Sequence, residues 1–217
     1  LVALATVTDV APLIGVNRAL VRQGLTVMGR RQRIGITALA DVAGMSEAPS
    51  SYHLGFLLGP RVNAGGRIGK ADLGARLLAN DNKIEAAAMA AKLDELNTER
   101  REVETAVRDL ALEQAEQRGH DAPLVWAAGK NWHPGVVGIV ASRLKDAANR
   151  PAVVIGIDED GNGKGSGRSV SGIDLGAAIQ RLASEGLIVK GGGHKMAAGL
   201  SVDGDKVDAA MARLGEI

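Results

Sequence analysis

Apolar positions along the chain follow two periods, near 2 and near 3.6 residues, and change from one to the other several times. Residues 1–7 are an apolar run of the length of a buried strand. Asp9 lies just past it, where open α/β sheets hold ligands beyond a strand's carboxyl end; a turn or helix cap is the plainer role. The spacing over 17–28 and 34–43 predicts helices. Residues 56–69, with Arg61, Asn63 and Arg67 among four glycines, predict a loop in which backbone and guanidinium could approach an anion closely. A glycine-rich turn with surface arginines is the alternative.

Residues 82–118 predict the longest element. Asn82 followed by Glu85 resembles a capping box, and Gly119 suits a helix C-cap. Met89, Leu93, Leu96, Val103, Val107 and Leu110 form a narrow stripe in steps of three and four, which Arg100 interrupts. A helix of that length, roughly 55 Å at about 1.5 Å per residue, should connect two domains. A homodimeric coiled coil is the rival, weakened by Arg100 and Gln114 in the seam.

Beyond Gly119 the pattern predicts strands over 124–128, 152–157, 164–170 and 199–202. Helices follow over 134–146, 174–185 and from 206 onward. This is a small α/β domain.

Composition removes several classes. With 46% hydrophobic and 24% charged residues the chain folds as an ordinary globular protein. The absence of cysteine excludes disulfides, thiolate zinc sites and a cysteine nucleophile, and permits a reducing cytoplasm. No apolar run is long enough for a membrane span. The net charge of +1 gives no global attraction to nucleic acid, but residues 1–75 hold eight Lys/Arg against four Asp/Glu. Two Trp, one Tyr and one Phe are too few for a broad base-stacking platform. The chain starts without Met inside an apolar run, which suggests a piece of a longer protein.

Three further segments combine small residues with cations: Asn131-Trp132-His133-Pro134-Gly135 at a predicted helix start, Gly163-Lys164-Gly165-Ser166-Gly167-Arg168-Ser169, and Lys190-Gly191-Gly192-Gly193-His194-Lys195. As loops, each could offer backbone or side-chain donors to one anion, the triple glycine as a nest. Each alone is equally an ordinary turn; together they fit a phosphodiester or nucleotide. P-loop spacing, a Gly-x-Ser-x-Gly elbow and a dinucleotide fingerprint are all absent.

These segments resemble the DHH phosphoesterase family, specifically its RecJ-type exonucleases. Gly191-Gly192-Gly193-His194 with Ala197-Ala198-Gly199, Gly165-Ser166-Gly167-Arg168-Ser169, and the run from Trp132 to Leu144 are similar to the DHH-associated domain. Thr6-Val7-Thr8-Asp9 resembles the fourth DHH motif, and Pro60-Arg61-Val62-Asn63-Ala64-Gly65-Gly66-Arg67 a RecJ segment. Asn97-Thr98-Glu99-Arg100-Arg101 resembles the connecting helix.

The resemblance implies an α/β architecture: the end of a parallel-sheet DHH domain (1–80), a connecting helix (81–118) and a smaller α/β DHH-associated domain (119–217). It implies a 5′-to-3′ exonuclease of single-stranded DNA, active in repair and recombination, using two Mn²⁺ or Mg²⁺ ions. Asp9 then becomes a metal ligand. Arg61, Asn63, Arg67, His133, Ser166, Arg168, Ser169, Gly191, Gly192, Gly193 and His194 become nucleic-acid contacts, and Trp132 a stacking residue. The family's Asp-x-Asp and Asp-His-His motifs would lie before Leu1, so the chain by itself should have little or no hydrolytic activity. A cytoplasmic monomer, free of membranes, meeting single-stranded DNA and other repair proteins, completes the expectation. Two alternatives stay open: a DHH phosphodiesterase of short oligonucleotides or cyclic dinucleotides, and a non-catalytic nucleic-acid-binding scaffold.

Overall fold

A computed structural model describes residues 1–119 and 122–217, which form two compact units dividing after Arg100. One of the four histidines, His120, lies outside the described residues.

Unit 1 is helical: α1 (Val2–Thr8), α2 (Gly15–Met28), α3 (Ile34–Val42), α4 (Gly59–Ile68), α5 (Leu73–Leu78) and the first half of α6 (Lys83–Arg118). The strand expected over residues 1–7 is therefore helix α1. A short apolar run does not discriminate between the two by periodicity. Here Ala3 and Leu4 are buried while Val2 and Ala5 are exposed, a one-sided burial that suits a helix. A Cβ added to Gly24 would come within 2.4 Å of the Ala3 Cβ, so α1 and α2 pack with little room between them.

The loop expected over residues 56–69 is also helical. A π-helical stretch, His53–Leu58, runs directly into α4. Its glycines serve close packing: a Cβ at Gly59 would meet Thr8 Cγ2 at 2.4 Å, and one at Gly65 the Lys70 carbonyl at 3.0 Å. Leu39, Leu54, Leu58, Leu77 and Leu93 fill the core of this unit.

The long helix starts where expected. Asn82 Oδ1 accepts from the N–H groups of Ile84 and Glu85 at 2.9 and 3.3 Å. The return half of the box is different: Glu85 takes the Asn80 amide, and Asn80 Oδ1 accepts from the Asn82 N–H. The buried stripe runs through Ala86, Ala90, Leu93, Asn97 and Arg100 and continues through Val107 and Ala111. Arg100 is thus a buried member of the stripe, bonded to Asn97 Oδ1 at 3.1 Å, whereas Leu110 is half exposed.

Unit 2 contains the second half of α6, then β1 (Val125–Lys130), α7 (Pro134–Ala148), β2 (Ala152–Ile157), β3 (Asn162–Arg168), α8 (Leu175–Ser184), β4 (Lys190–His194), β5 (Ala197–Asp203) and α9 (Val207–Glu216). The strands form one sheet in the order β1-β2-β3-β5-β4, with β1 and β2 parallel and the other pairs antiparallel. Alternation on β2 sends Val153 and Ile155 into a core with Leu175, Ile179 and Met211 of α8 and α9. Ala152 and Val154 face the opposite core, with Val136, Val140 and Leu144 of α7 and Val107 of α6. The end of α6 is held to β1 by Gln114, which both donates to and accepts from the backbone of Ala128, and by Arg118 over the Trp126 ring at 3.8 Å. No described helix is long and apolar enough to cross a membrane.

Candidate functional site

The sheet places its polar residues by register. Residues directly opposite one another in antiparallel strands share a face, and successive residues alternate faces. Arg168 lies opposite Ala197, which lies opposite His194; Ser166 lies opposite Gly199 and then Gly192; Lys164 lies opposite Ser201 and then Lys190. Three parallel rungs therefore display their side chains on one face. With strands about 4.8 Å apart, Arg168 and His194 are separated by about 10 Å of backbone.

On that face α7 packs on β1, β2 and β3 and leaves β5 and β4 open. The result is a groove of about 490 Å³ whose lining includes Pro134 and Val137 of α7, Lys164 and Ser166 of β3, Lys190 of β4 and Ser201 of β5. Its floor is level because Gly199 lacks a side chain. A Cβ there would have only the Gly165 carbonyl within 4 Å, at 3.9 Å. Glycines at the alternate positions answer to the other face, where a Cβ at Gly165 would press on Ile155 and Leu200, and one at Gly167 on Leu175. Glycine lets the sheet accept a close core on one side and a close ligand on the other.

The polar groups are locally oriented. Arg168 Nη1 donates to Ser166 Oγ and to the Gly167 carbonyl, each at 2.9 Å. Both side chains lie over Gly138 of α7, where a Cβ would meet Ser166 Oγ at 3.0 Å and Arg168 Nη2 at 3.1 Å. His133 is the N-cap of α7, its Nδ1 accepting from the Gly135 N–H at 3.0 Å. His194 Nδ1 likewise accepts from the Met196 N–H at 3.3 Å. Because Nδ1 accepts in both rings, the neutral imidazole carries its proton on Nε2, available to an anion. Lys164 and Lys190 have no carboxylate partner among the described residues.

Other expected contacts have different surroundings. Arg61 is buried, donating to Asp94 at 2.7 Å and to the Leu57 carbonyl at 2.8 Å, so it ties α4 to α6. Trp132 is 8% exposed and lies against Gly129, in the α7 core, which removes it as a stacking surface. Ser169 is 1% exposed and its hydroxyl bonds the Ile173 carbonyl at 3.1 Å, so it stabilises a turn instead of facing the groove. Gly191, Gly192 and Gly193 are not a nest. They form strand β4, where successive N–H groups alternate in direction and cannot converge on one anion. Asn63 and Arg67 are exposed, one turn apart on α4 in unit 1.

Asp9 is exposed at the C-terminal end of α1. Among the described residues no group of three or more His, Asp or Glu side chains could hold a metal ion. A two-ion centre needs several carboxylates or imidazoles around ions about 3.5–4 Å apart, so the donors among the described residues do not fit one by themselves.

The sequence marks Lys164 and Lys190 only as members of cation-bearing segments and not as contacts, and gives no sign of Ser201 or of Gly138 against Arg168. The alternation Lys164, Ser166, Arg168 carries the signal once 162–168 is read as a strand.

A DHHA1 domain model matches residues 121–217. The chain is 40% identical over 220 residues to the single-stranded-DNA-specific exonuclease RecJ of Bacillus subtilis, covering all of this chain and 28% of that protein. It is 42% identical over 225 residues to the protein of the same name from Escherichia coli, covering all of this chain and 39% of the relative. Among solved structures it is similar to RecJ in complex with Mn²⁺ from Thermus thermophilus, at 36% identity and a TM-score of 0.85, over 99% of this chain and 31% of that one. A manganese-bound exonuclease RecJ matches at 38% identity and a TM-score of 0.83, over 99% of this chain and 52% of the other. The chain thus spans well under half the length of the curated relatives it matches.

Proposed function

We infer that this chain, similar to RecJ proteins along its whole length and matched by a DHHA1 domain model over residues 121–217, is a RecJ-type segment of the DHH family and the substrate-holding part of a divalent-metal-dependent exonuclease acting on single-stranded DNA. The relatives at about 40% identity carry that name and activity, and RecJ structures hold Mn²⁺ or Mg²⁺.

The observation that carries the reading is the shared face of Arg168 and His194 beside Ser166, above a glycine floor. A guanidinium held in place by Ser166 and Gly167 loses little freedom on meeting a phosphate and supplies charge-assisted donors. His194, through Nε2, and the Ser166 hydroxyl add directed donors from the same face. Of the three glycines of β4, Gly192 keeps the groove face of the strand low, so that the nucleic-acid backbone can lie close, while Gly191 answers to Ile179 on the other face. His133 borders the groove beside Pro134 and offers its Nε2 proton. Asn63 and Arg67 of unit 1 would contact backbone by the same chemistry.

Divalent ions in such enzymes activate a water and steady the leaving oxygen. Asp9 would supply one ligand, the others coming from the part of the longer relatives that this chain does not span. Hydrolysis by the 217-residue chain is therefore not expected. Polarity from 5′ to 3′, a role in repair and recombination, a monomeric state, further repair proteins as partners and a cytoplasmic location belong to the same proposal and rest on the RecJ likeness.

Replacing Arg168 with Ala should weaken single-stranded DNA binding by about 10-fold or more, since a hydrogen bond to a charged group is worth about 1.5–3 kcal/mol. The loss should be similar for all base compositions, with a salt dependence shallower by about one unit of slope. Fluorescence anisotropy across a salt series measures both. A loss confined to one base composition contradicts backbone recognition. Metal-dependent release of nucleotides by the purified chain would overturn its assignment as the substrate-holding part alone.

A further inference from the structure

The groove holds a second cationic rung, Lys164–Ser201–Lys190, and resting on the proposed function above we propose that it is a separate phosphate subsite, making the preferred ligand an oligonucleotide with at least two phosphates in place of a mononucleotide. Lys164 and Lys190 flank Ser201 on the open face, all three lining the groove. Two exposed ammonium groups face one cleft without a carboxylate partner among the described residues. Asp203 is the nearest acidic residue along β5, and its carboxylate is engaged by Lys206 at 2.9 Å. The like charges are therefore left for an outside anion to balance.

Spacing separates this subsite from the first. Lys164 and Arg168 are four residues apart on one strand, about 13 Å at 3.3–3.4 Å per residue. No single phosphate reaches both. Between them lies the rung Ser166–Gly199–Gly192, whose two glycines offer a smooth floor for the sugar-phosphate link. One polyanionic strand running over β5 and β4, beside α7, would meet Arg168 and His194 at one end and the lysines at the other. A mononucleotide would occupy only one rung.

The test is a titration of the ¹⁵N-labelled chain with thymidine 5′-monophosphate and with a 5′-phosphorylated thymidine trinucleotide, for wild type, R168A and the double variant Lys164→Gln/Lys190→Gln. Both lysines are exposed, so the double variant should fold as wild type does. The expected result is that the trinucleotide shifts the amides of both end rungs. In the double variant its affinity should fall about 10-fold or more to that of the monophosphate, while monophosphate binding at the Arg168 rung is kept. Unchanged trinucleotide affinity in the double variant, with R168A still impaired, overturns the second subsite and leaves the proposed function intact. Failure of either ligand to shift the Arg168 rung overturns the proposed function, and this subsite with it.

Discussion

In α4, Arg61 sits in a helix packed on its neighbours, with its guanidinium committed to Asp94 and the Leu57 carbonyl. In β3, Arg168 sits in a sheet with an open face, braced by Ser166 and Gly167 beside a groove. Both segments combine glycine and arginine with small or polar residues. In α4 the glycines bring helices together and the arginine is consumed by the contact. In β3 the pleat sends the glycines toward one face and the cations toward the other, so close packing and ligand access coexist. A similar composition therefore serves cohesion in one unit and leaves cations beside an open groove in the other, and backbone geometry makes the difference.

The sharpest way to break this contrast is to exchange a glycine in each setting. Gly59→Ala puts a methyl 2.4 Å from Thr8 Cγ2 and 2.9 Å from the Leu54 carbonyl, and should cost about 1–3 kcal/mol as an overpacked contact. Gly199→Ala meets nothing closer than 3.9 Å, so thermal or urea unfolding should barely register it. Its raised floor should instead weaken nucleic-acid binding. Equal destabilisation by the two would end the comparison.

The arginines come next. Arg61→Ala leaves Asp94 without its partner at a partly buried position, with an expected loss of about 2–3 kcal/mol in unfolding experiments, less than for a fully buried pair because Asp94 is partly exposed. Affinity at the groove should be unaffected. Arg168→Ala should do the reverse.

The smallest effect concerns unit 2 alone. Arg213 and Arg181 bond Glu185 and hold its carboxyl down at about 2. A pKa depressed in the folded state contributes stability above the unfolded value near 4.5, lost as pH falls toward 2. Glu185→Gln should remove that share of the acid dependence, measured by unfolding midpoints between pH 2 and 5. An unchanged pH profile would mean that the two arginines are satisfied by solvent instead.

Much of the secondary structure was readable because it depends on near neighbours. The spacing of Val136, Val140 and Leu144 behind Pro134, and the run over Ala152–Ile157, report a helix and a strand whose own positions define which side is buried. The Asn82 cap was readable for the same reason. Residues 1–7 were not, since Ala3 and Leu4 are buried by α2, and a short apolar run has no period of its own. Nor was β4: glycine is a poor strand former in isolation, and at Gly191 it is demanded by Ile179 and Ile188 on the packed face. Among site residues, Arg168, Ser166 and His194 were legible as chemistry. That Trp132, Ser169 and Arg61 are spent on packing was not, because their partners Gly129, Ile173 and Asp94 become decisive only once side chains are placed.

The amino-acid order alone determined which groups are available: cations and hydroxyls next to glycines, no thiol, and helical and extended stretches set by local periodicity. Tertiary structure decided which of them meet solvent and which meet one another. Strand register assembled Arg168, Ser166, Lys164, Lys190 and His194 on one face from segments up to some thirty residues apart, and packing took Arg61, Trp132 and Ser169 away. The physical reason is that burial and pairing are properties of surfaces in contact, and a contact between distant segments exists only when the chain has folded.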